Sequence, residues 1–147
     1  MKDEIIRIIS AFVGTLGFAV LFNIRGKRLV YAALGGLLSW SLFEIIDIFI
    51  NNEVIIYFVV ALLSSFYAEI MARILKTPTT AFIITSLIPL IPGSSLYYTM
   101  AYAFHSDVDR FMQKGIYTLE LASSLALGII IATTVVNIVF KKSKHTS

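Results

Sequence analysis

The sequence predicts an all-α integral membrane protein, a single membrane domain over residues 1–147 built as a bundle of five transmembrane helices, the fourth discontinuous between Pro89 and Gly93. Three observations predict it. First, 58% of the 147 residues are hydrophobic and 14% are charged, against roughly 45–50% and 25% in soluble domains. Second, apolar stretches at about 4–24, 29–50, 54–75, 80–104 and 116–140 each reach the roughly 20 residues that a helix needs to cross the hydrocarbon core. Third, Pro89 and Pro92, two of only three prolines, fall in the middle of the fourth stretch. The stretches cover about 115 residues and leave about 32 for connections, too few for a soluble catalytic, nucleotide-binding or nucleic-acid-binding domain. No enzymatic activity is expected. The formal charge of +3 would hint at nucleic acid in a soluble protein. Here the basic residues sit at span ends, so no nucleic-acid partner is expected. The absence of cysteine leaves neither a disulfide framework nor thiolate chemistry.

The first stretch resembles a signal peptide only in position. Asp3 and Glu4 spoil a basic leader, and Arg25-Gly26-Lys27-Arg28 follows with no small-residue cleavage site, so it reads as a retained helix. The second carries Glu44 and Asp47, three residues apart and therefore on one face. The third carries Glu69 and Arg73, four apart on one face. Small residues recur at helix-packing spacing: Gly14 and Gly17, Ala32 and Gly36, Ser64, Ala68 and Ala72, and Ser124, Gly128 and Ala132. Such stripes let helices approach closely. The longest connection, about 105–115, holds Asp107, Asp109, Arg110 and Lys114 and is expected to be a loop.

Orientation follows from the basic residues. Arg25, Lys27 and Arg28, then Arg73 and Lys76, then Lys141, Lys142 and Lys144 fall on one side, eight in all. Lys2, Arg7, Arg110 and Lys114, four in all, fall on the other. The positive-inside rule then puts the N-terminus outside and the C-terminus in the cytoplasm. An odd number of spans is what a transporter made of two inverted halves needs from each half. It is equally what an odd-span homo-oligomer would have.

The fourth stretch is the most informative. Pro89 removes the helical donor to the Thr85 carbonyl, and Pro92 removes the donor to Ile88. Ile91, preceding Pro92, is pushed toward extended geometry, and Gly93 adds backbone freedom. Ser94 or Ser95 can cap a new helix. Two half-helices with an unwound joint are expected, the second offering free N–H groups near Ser94, Ser95 and Leu96 and a positive dipole end. In hydrocarbon such backbone survives only where protein or a water-filled cavity covers it. A broken midplane helix facing an anionic substrate group is a transporter feature. This makes Pro89, Pro92, Gly93, Ser94, Ser95 and Tyr97 the candidate substrate-binding residues. The plainer reading is a proline kink repaired by Ser86 or by a neighbouring helix.

Ionisable residues within spans are costly and are candidates for function. Glu44, Glu69, Arg73 and Glu120, with the polar Asn23 at the end of the first span, are the candidates for proton coupling or for lining a path. Glu69 and Arg73 can equally be an interfacial ion pair, Asp47 and Glu120 can be solvated span ends, and Asn23 can be a cap. Glu44 has no basic neighbour in its own span. No His, Asp or Glu cluster has metal-ligand spacing, so neither a metal nor another cofactor is expected.

The runs RILKTP (73–78) and IPLIPG (88–93), with Tyr97, resemble the threonine/serine exporter family. AVLFN (19–23) before a basic turn is similar to the first helix of that family's small, separately encoded subunit, the counterpart of the exporter's C-terminal membrane half. Length and span number agree over nearly the whole chain. The resemblance implies a secondary transporter subunit that exports small amino acids such as threonine and serine, or a small carboxylate, driven by protons or the membrane potential. It implies a second five-span subunit as partner and a bacterial cell membrane as location. The rival reading is a homo-oligomeric scaffold or assembly protein, or a channel, with the proline break as a hinge.

Overall fold

The computed structural model describes the backbone of residues 2–144 and the side chains of residues 5–140. Of the charges used for orientation, the side chains of Lys2, Lys141, Lys142 and Lys144 lie outside the described residues, as do those of Asp3 and Glu4. Helix α1 runs Lys2–Leu21, α2 Lys27–Asp47 and α3 Glu53–Ile74. Helix α4, Thr79–Leu87, passes into a 3₁₀ turn at Ile88–Leu90, and α5 follows at Gly93–Phe104. Helix α6 runs Val108–Lys144. Among the described residues there is no strand.

By length and composition α2, α3 and α6 can each cross a membrane, and α4 with α5 makes a fourth crossing if the pair is one span. The apolar part of α1, Ile5–Leu21, is shorter. Helix α3 is central: it packs on α2, α4 and α6. Its buried residues Ile56, Val60, Ala61, Ala68 and Ala72 share one hydrophobic core with Phe82, Ile83 and Leu87 of α4. Helix α4 wedges between α2 and α3 and touches α1, whereas α5 swings away to pack against α6.

Close approach follows the small-residue stripes, with one exception. A Cβ on Gly36 would run into Thr15 of α1, and one on Gly128 would sit 2.8 Å from the Phe58 carbonyl oxygen and 2.9 Å from the Leu62 nitrogen of α3. Ser64, Ala68, Ala72, Ser124 and Ala132 are also buried. Gly14 and Gly17 have nothing near them: Thr15 and Ala19, buried, are the inward residues of α1.

Three helices end in one way. After α1, Asn23 takes φ 58°, and the Ile24 N–H reaches back to the Ala19 carbonyl at 3.0 Å. After α3, Lys76 takes φ 50°, and the Thr77 N–H bonds Ala72 at 2.9 Å. After α5, Ser106 takes φ 56°, and the Asp107 N–H bonds Tyr102 at 3.1 Å. Each is a left-handed residue closing a six-to-one bond, which reverses the chain in few residues. Lys76 pays a Cβ penalty there that glycine avoids. Lys76→Gly is expected to stabilise the protein by about 0.5–1 kcal/mol, read as a higher unfolding temperature in detergent.

The start of α6 corrects the expectation from sequence. The segment 105–115 is not a loop: α6 begins at Val108, and only three residues separate it from α5. Asp107 explains this. Its side chain accepts from the Arg110 N–H at 3.2 Å and lies 3.4 Å from the Arg110 guanidinium, while its carbonyl takes the Phe111 N–H. An N-terminal carboxylate cap followed by Asp109 in the first turn starts a helix where charge density alone suggested a loop.

Candidate functional site

The site is built around the break after α4. The axes of the two helical pieces, Thr79–Leu90 and Gly93–Phe104, differ by 63°. Ile91 is extended at φ −61° and ψ 123°, as expected before proline, and Pro92 takes the cap position of α5. No side chain caps α5: Ser94 and Ser95 lie within its first turn, so the expected serine cap does not form. The buried end of α4, just before the joint, is tied to α2 instead. The Ser39 hydroxyl donates to the Ser86 carbonyl at 2.7 Å, and a Cβ on Gly35 would run into the Ser86 side chain. The Ile88 carbonyl, which loses its helical donor to Pro92, takes the Ile91 N–H at 3.2 Å, so the 3₁₀ turn itself covers it, while Ser39 holds the adjoining turn against α2.

A cavity of about 280 Å³ opens beside this joint. Pro89 lines it from the 3₁₀ turn, Ile6, Arg7 and Ser10 from α1, and Trp40 from α2. At its edge Arg7 Nη1 lies 3.7 Å from Glu44 Oε1, and Trp40 Nε1 donates to the same oxygen at 3.1 Å. Glu44 thus has a cationic neighbour after all, supplied by α1. The Arg7 side chain is 63% exposed, so its charge is available to a ligand. Trp40 stacks on Phe43, centroids 5.2 Å apart, which fixes the indole.

The other residues of the break divide. Ser95 is buried, and its hydroxyl lies 2.8 Å from that of Thr118 on α6. Thr99 joins them at 3.2 Å and also donates to the Ser95 carbonyl. Gly93, Ser94 and Tyr97 are exposed, Tyr97 at 69%. None of the three lines the cavity, and the half-helix that carries them packs chiefly on α6.

The remaining charged candidates fall in separate places. Glu69 is buried at 3% exposure and lies 3.3 Å from Arg73, the same-face pair foreseen from their spacing. The Arg73 guanidinium also donates to Asn137 of α6 at 2.7 Å and sits 4.5 Å above the Phe140 ring. Ser65, one turn before Glu69, is buried with no hydrogen-bond partner among the described residues, and so are Ser64 and Ser86. Glu120 and Asp47 are exposed. Asn23 occupies the left-handed position that ends α1. Among the described residues no group of three acidic or histidine side chains is placed to hold a metal ion.

Arg7, Ser10, Trp40, Ser39, Thr118 and Asn137 escaped the sequence reading. Arg7, Ser39, Thr118 and Asn137 matter through partners on other helices, and Ser10 and Trp40 through a cavity walled by several elements, none of which spacing along one helix reveals. Only Arg7 carried a usable signal, a cation inside the first apolar stretch.

The model of the family described as Threonine/Serine exporter, ThrE, matches residues 7–135, from the ion-paired Arg7 to the part of α6 packed on α3. Comparison with the curated proteins and with the solved structures gives no match. With most of its length under that one family model and its helices apolar enough to cross a bilayer more than once, this chain is a multi-pass membrane protein that belongs to the threonine/serine exporter family.

Proposed function

We propose that this chain is one half of a secondary exporter of small amino acids, threonine- or serine-like, or of small carboxylates. The observation that carries the reading is the cavity at the proline break, where an exposed guanidinium and the Ser10 hydroxyl meet an indole wall. A zwitterion needs a cation for its carboxylate and an acceptor for its ammonium group. Arg7 and Glu44 supply both within one cavity edge.

In this reading α1, α2, α3, the α4–α5 pair and α6 make five crossings of a single membrane domain, with the N-terminus outside and the C-terminus in the cytoplasm. The 17 apolar residues Ile5–Leu21 of α1 are at the short end of what spans a bilayer. Pro89, Pro92, Gly93, Ser94, Ser95 and Tyr97 form the substrate region, and the exposed Ser94 and Tyr97 address the other half. Polar groups at membrane depth need cover, and inverted halves meet at broken helices. A second five-span subunit is the cover that fits. Glu44 and Glu69 are the coupling carboxylates, driven by protons or the membrane potential, with Arg73 holding Glu69. The unpartnered Ser65 hydroxyl extends a polar route from Glu69 along α3. Asn23 and Glu120 mark the two ends of the path.

The test is threonine efflux from liposomes holding this chain with a co-expressed five-span partner. Flux is expected with the pair and not with this chain alone. Pro92→Ala combined with Ser94→Ala is expected to lower it at least about 10-fold, the loss of roughly 1.4 kcal/mol in the transition state, with insertion intact. Wild-type flux from the double variant rejects the site.

A further inference from the structure

We propose that the opposite end of the bundle carries a second site, which binds the phosphodiester headgroup of an anionic membrane lipid. A cavity of about 270 Å³ lies between the α1–α2 and α3–α4 connections. Asn23, Arg25 and Arg28 line it from the first connection and Thr77 from the second, over an apolar floor that includes Phe22 and Phe82. Among the described residues neither arginine is in an ion pair, in contrast to Arg7, Arg73 and Arg110. The sequence holds no carboxylate from Ile5 to Phe43 or from Ile70 to Ser106. Nothing in either connection therefore competes for the two guanidiniums.

The backbone adds to this field. Helices α2 and α4 both begin at this end, and neither has a side-chain cap. Their first N–H groups and the positive ends of their dipoles are left for an anion. Two planar guanidinium forks suit phosphate oxygens better than ammonium groups do.

The surroundings select a lipid over a soluble anion. Leu21 and Ile74, which end α1 and α3 beside the cavity, are 79% and 65% exposed. Such side chains belong in hydrocarbon, which sets the cavity at headgroup depth with acyl chains able to descend past them. Basic pockets between transmembrane helices are where anionic headgroups dock. This site is separate from the Arg7 cavity: it shares Asn23 with the proposed path, but its two arginines take no part in the transport reading.

The experiment is native mass spectrometry and thermal unfolding of the purified full chain in detergent. Dioleoyl-phosphatidylglycerol, dioleoyl-phosphatidylcholine, sodium phosphate and threonine are added separately. Retention of one phosphatidylglycerol, with a rise in unfolding temperature that phosphatidylcholine and sodium phosphate do not give, is expected; any rise from threonine belongs to the Arg7 cavity and persists in Arg25→Gln/Arg28→Gln. Arg25→Gln with Arg28→Gln should weaken phosphatidylglycerol retention at least about 10-fold, the order of one charge-assisted pair. Arg110→Gln with Lys114→Gln, at the other end, should leave it unchanged. Equal retention of phosphatidylcholine by the wild type overturns the proposal whether or not the variants fold. An equal effect of sodium phosphate overturns the lipid in favour of a soluble anion, and a threonine effect that Arg25→Gln with Arg28→Gln abolishes overturns it in favour of substrate. Full retention by a helical Arg25→Gln/Arg28→Gln protein overturns the site.

Discussion

Arg7→Gln is expected to cut threonine export by about 10- to 100-fold while the protein still folds and inserts. The magnitude follows from the bond at stake: a hydrogen bond between charged groups contributes about 1.5–3 kcal/mol, and each 1.36 kcal/mol is roughly tenfold in rate. Folding should survive because Arg7 is largely exposed and its 3.7 Å approach to Glu44 is long for an ion pair; exposed pairs contribute little to stability. Glu44→Gln separates two roles for the carboxylate. If Glu44 only orients Arg7, the glutamine retains most of the flux and its dependence on a pH gradient. If Glu44 carries the proton, downhill exchange survives while uphill export driven by the pH gradient disappears. Radiolabelled threonine flux with and without a gradient reads both. Arg7→Gln at wild-type flux would remove the cavity from the mechanism.

The largest structural effect is expected at Gly128. Gly128→Leu should prevent α6 from docking on α3 and leave little folded protein after extraction, a loss of about 3 kcal/mol or more. The atoms a side chain would meet are the Phe58 carbonyl oxygen and the Leu62 nitrogen. These are backbone groups of a helix and cannot rotate aside as a side-chain tip would. Gly128→Ala should cost about 1–3 kcal/mol by the same contact. Gly14→Leu is the matched control, because nothing lies near that position. Monodisperse yield on size-exclusion chromatography ranks the three, and similar yields for Gly128→Leu and Gly14→Leu would mean that α3 and α6 are not held by this approach.

Those two glycines also show where the sequence was readable. Both sit in small-residue patterns that spacing alone cannot rank. Three of the stripes are buried as expected, but on α1 the stripe misses the bundle and Thr15 takes its place against Gly36. The proline break was legible because Pro removes a donor wherever it sits, so Ile91, Pro92 and the start of α5 at Gly93 follow from local chemistry. The Glu69–Arg73 pair was legible because its partners share a helix. The Arg7–Glu44 and Ser39–Ser86 contacts were not, since they depend on which faces of separate helices meet. The early start of α6 was missed for another reason: Asp107 acts through one cap geometry, and a count of charges conceals that.

The 63° joint has a mechanical consequence. Helix α5 is joined to α4 through a short segment and leans on α6, with little else beneath it. Its 12 residues form a rigid arm about 18 Å long. A rotation of about 10° at the joint would carry the far tip, near Phe104, through roughly 3 Å at that arm length. The same rotation hardly shifts Pro89, which the packing of α4 holds in place. Small angular play at two prolines is thereby converted into travel comparable to the width of a water molecule at the exposed tip, Phe104, while Tyr97 and Tyr98, nearer the joint, move less than half as far.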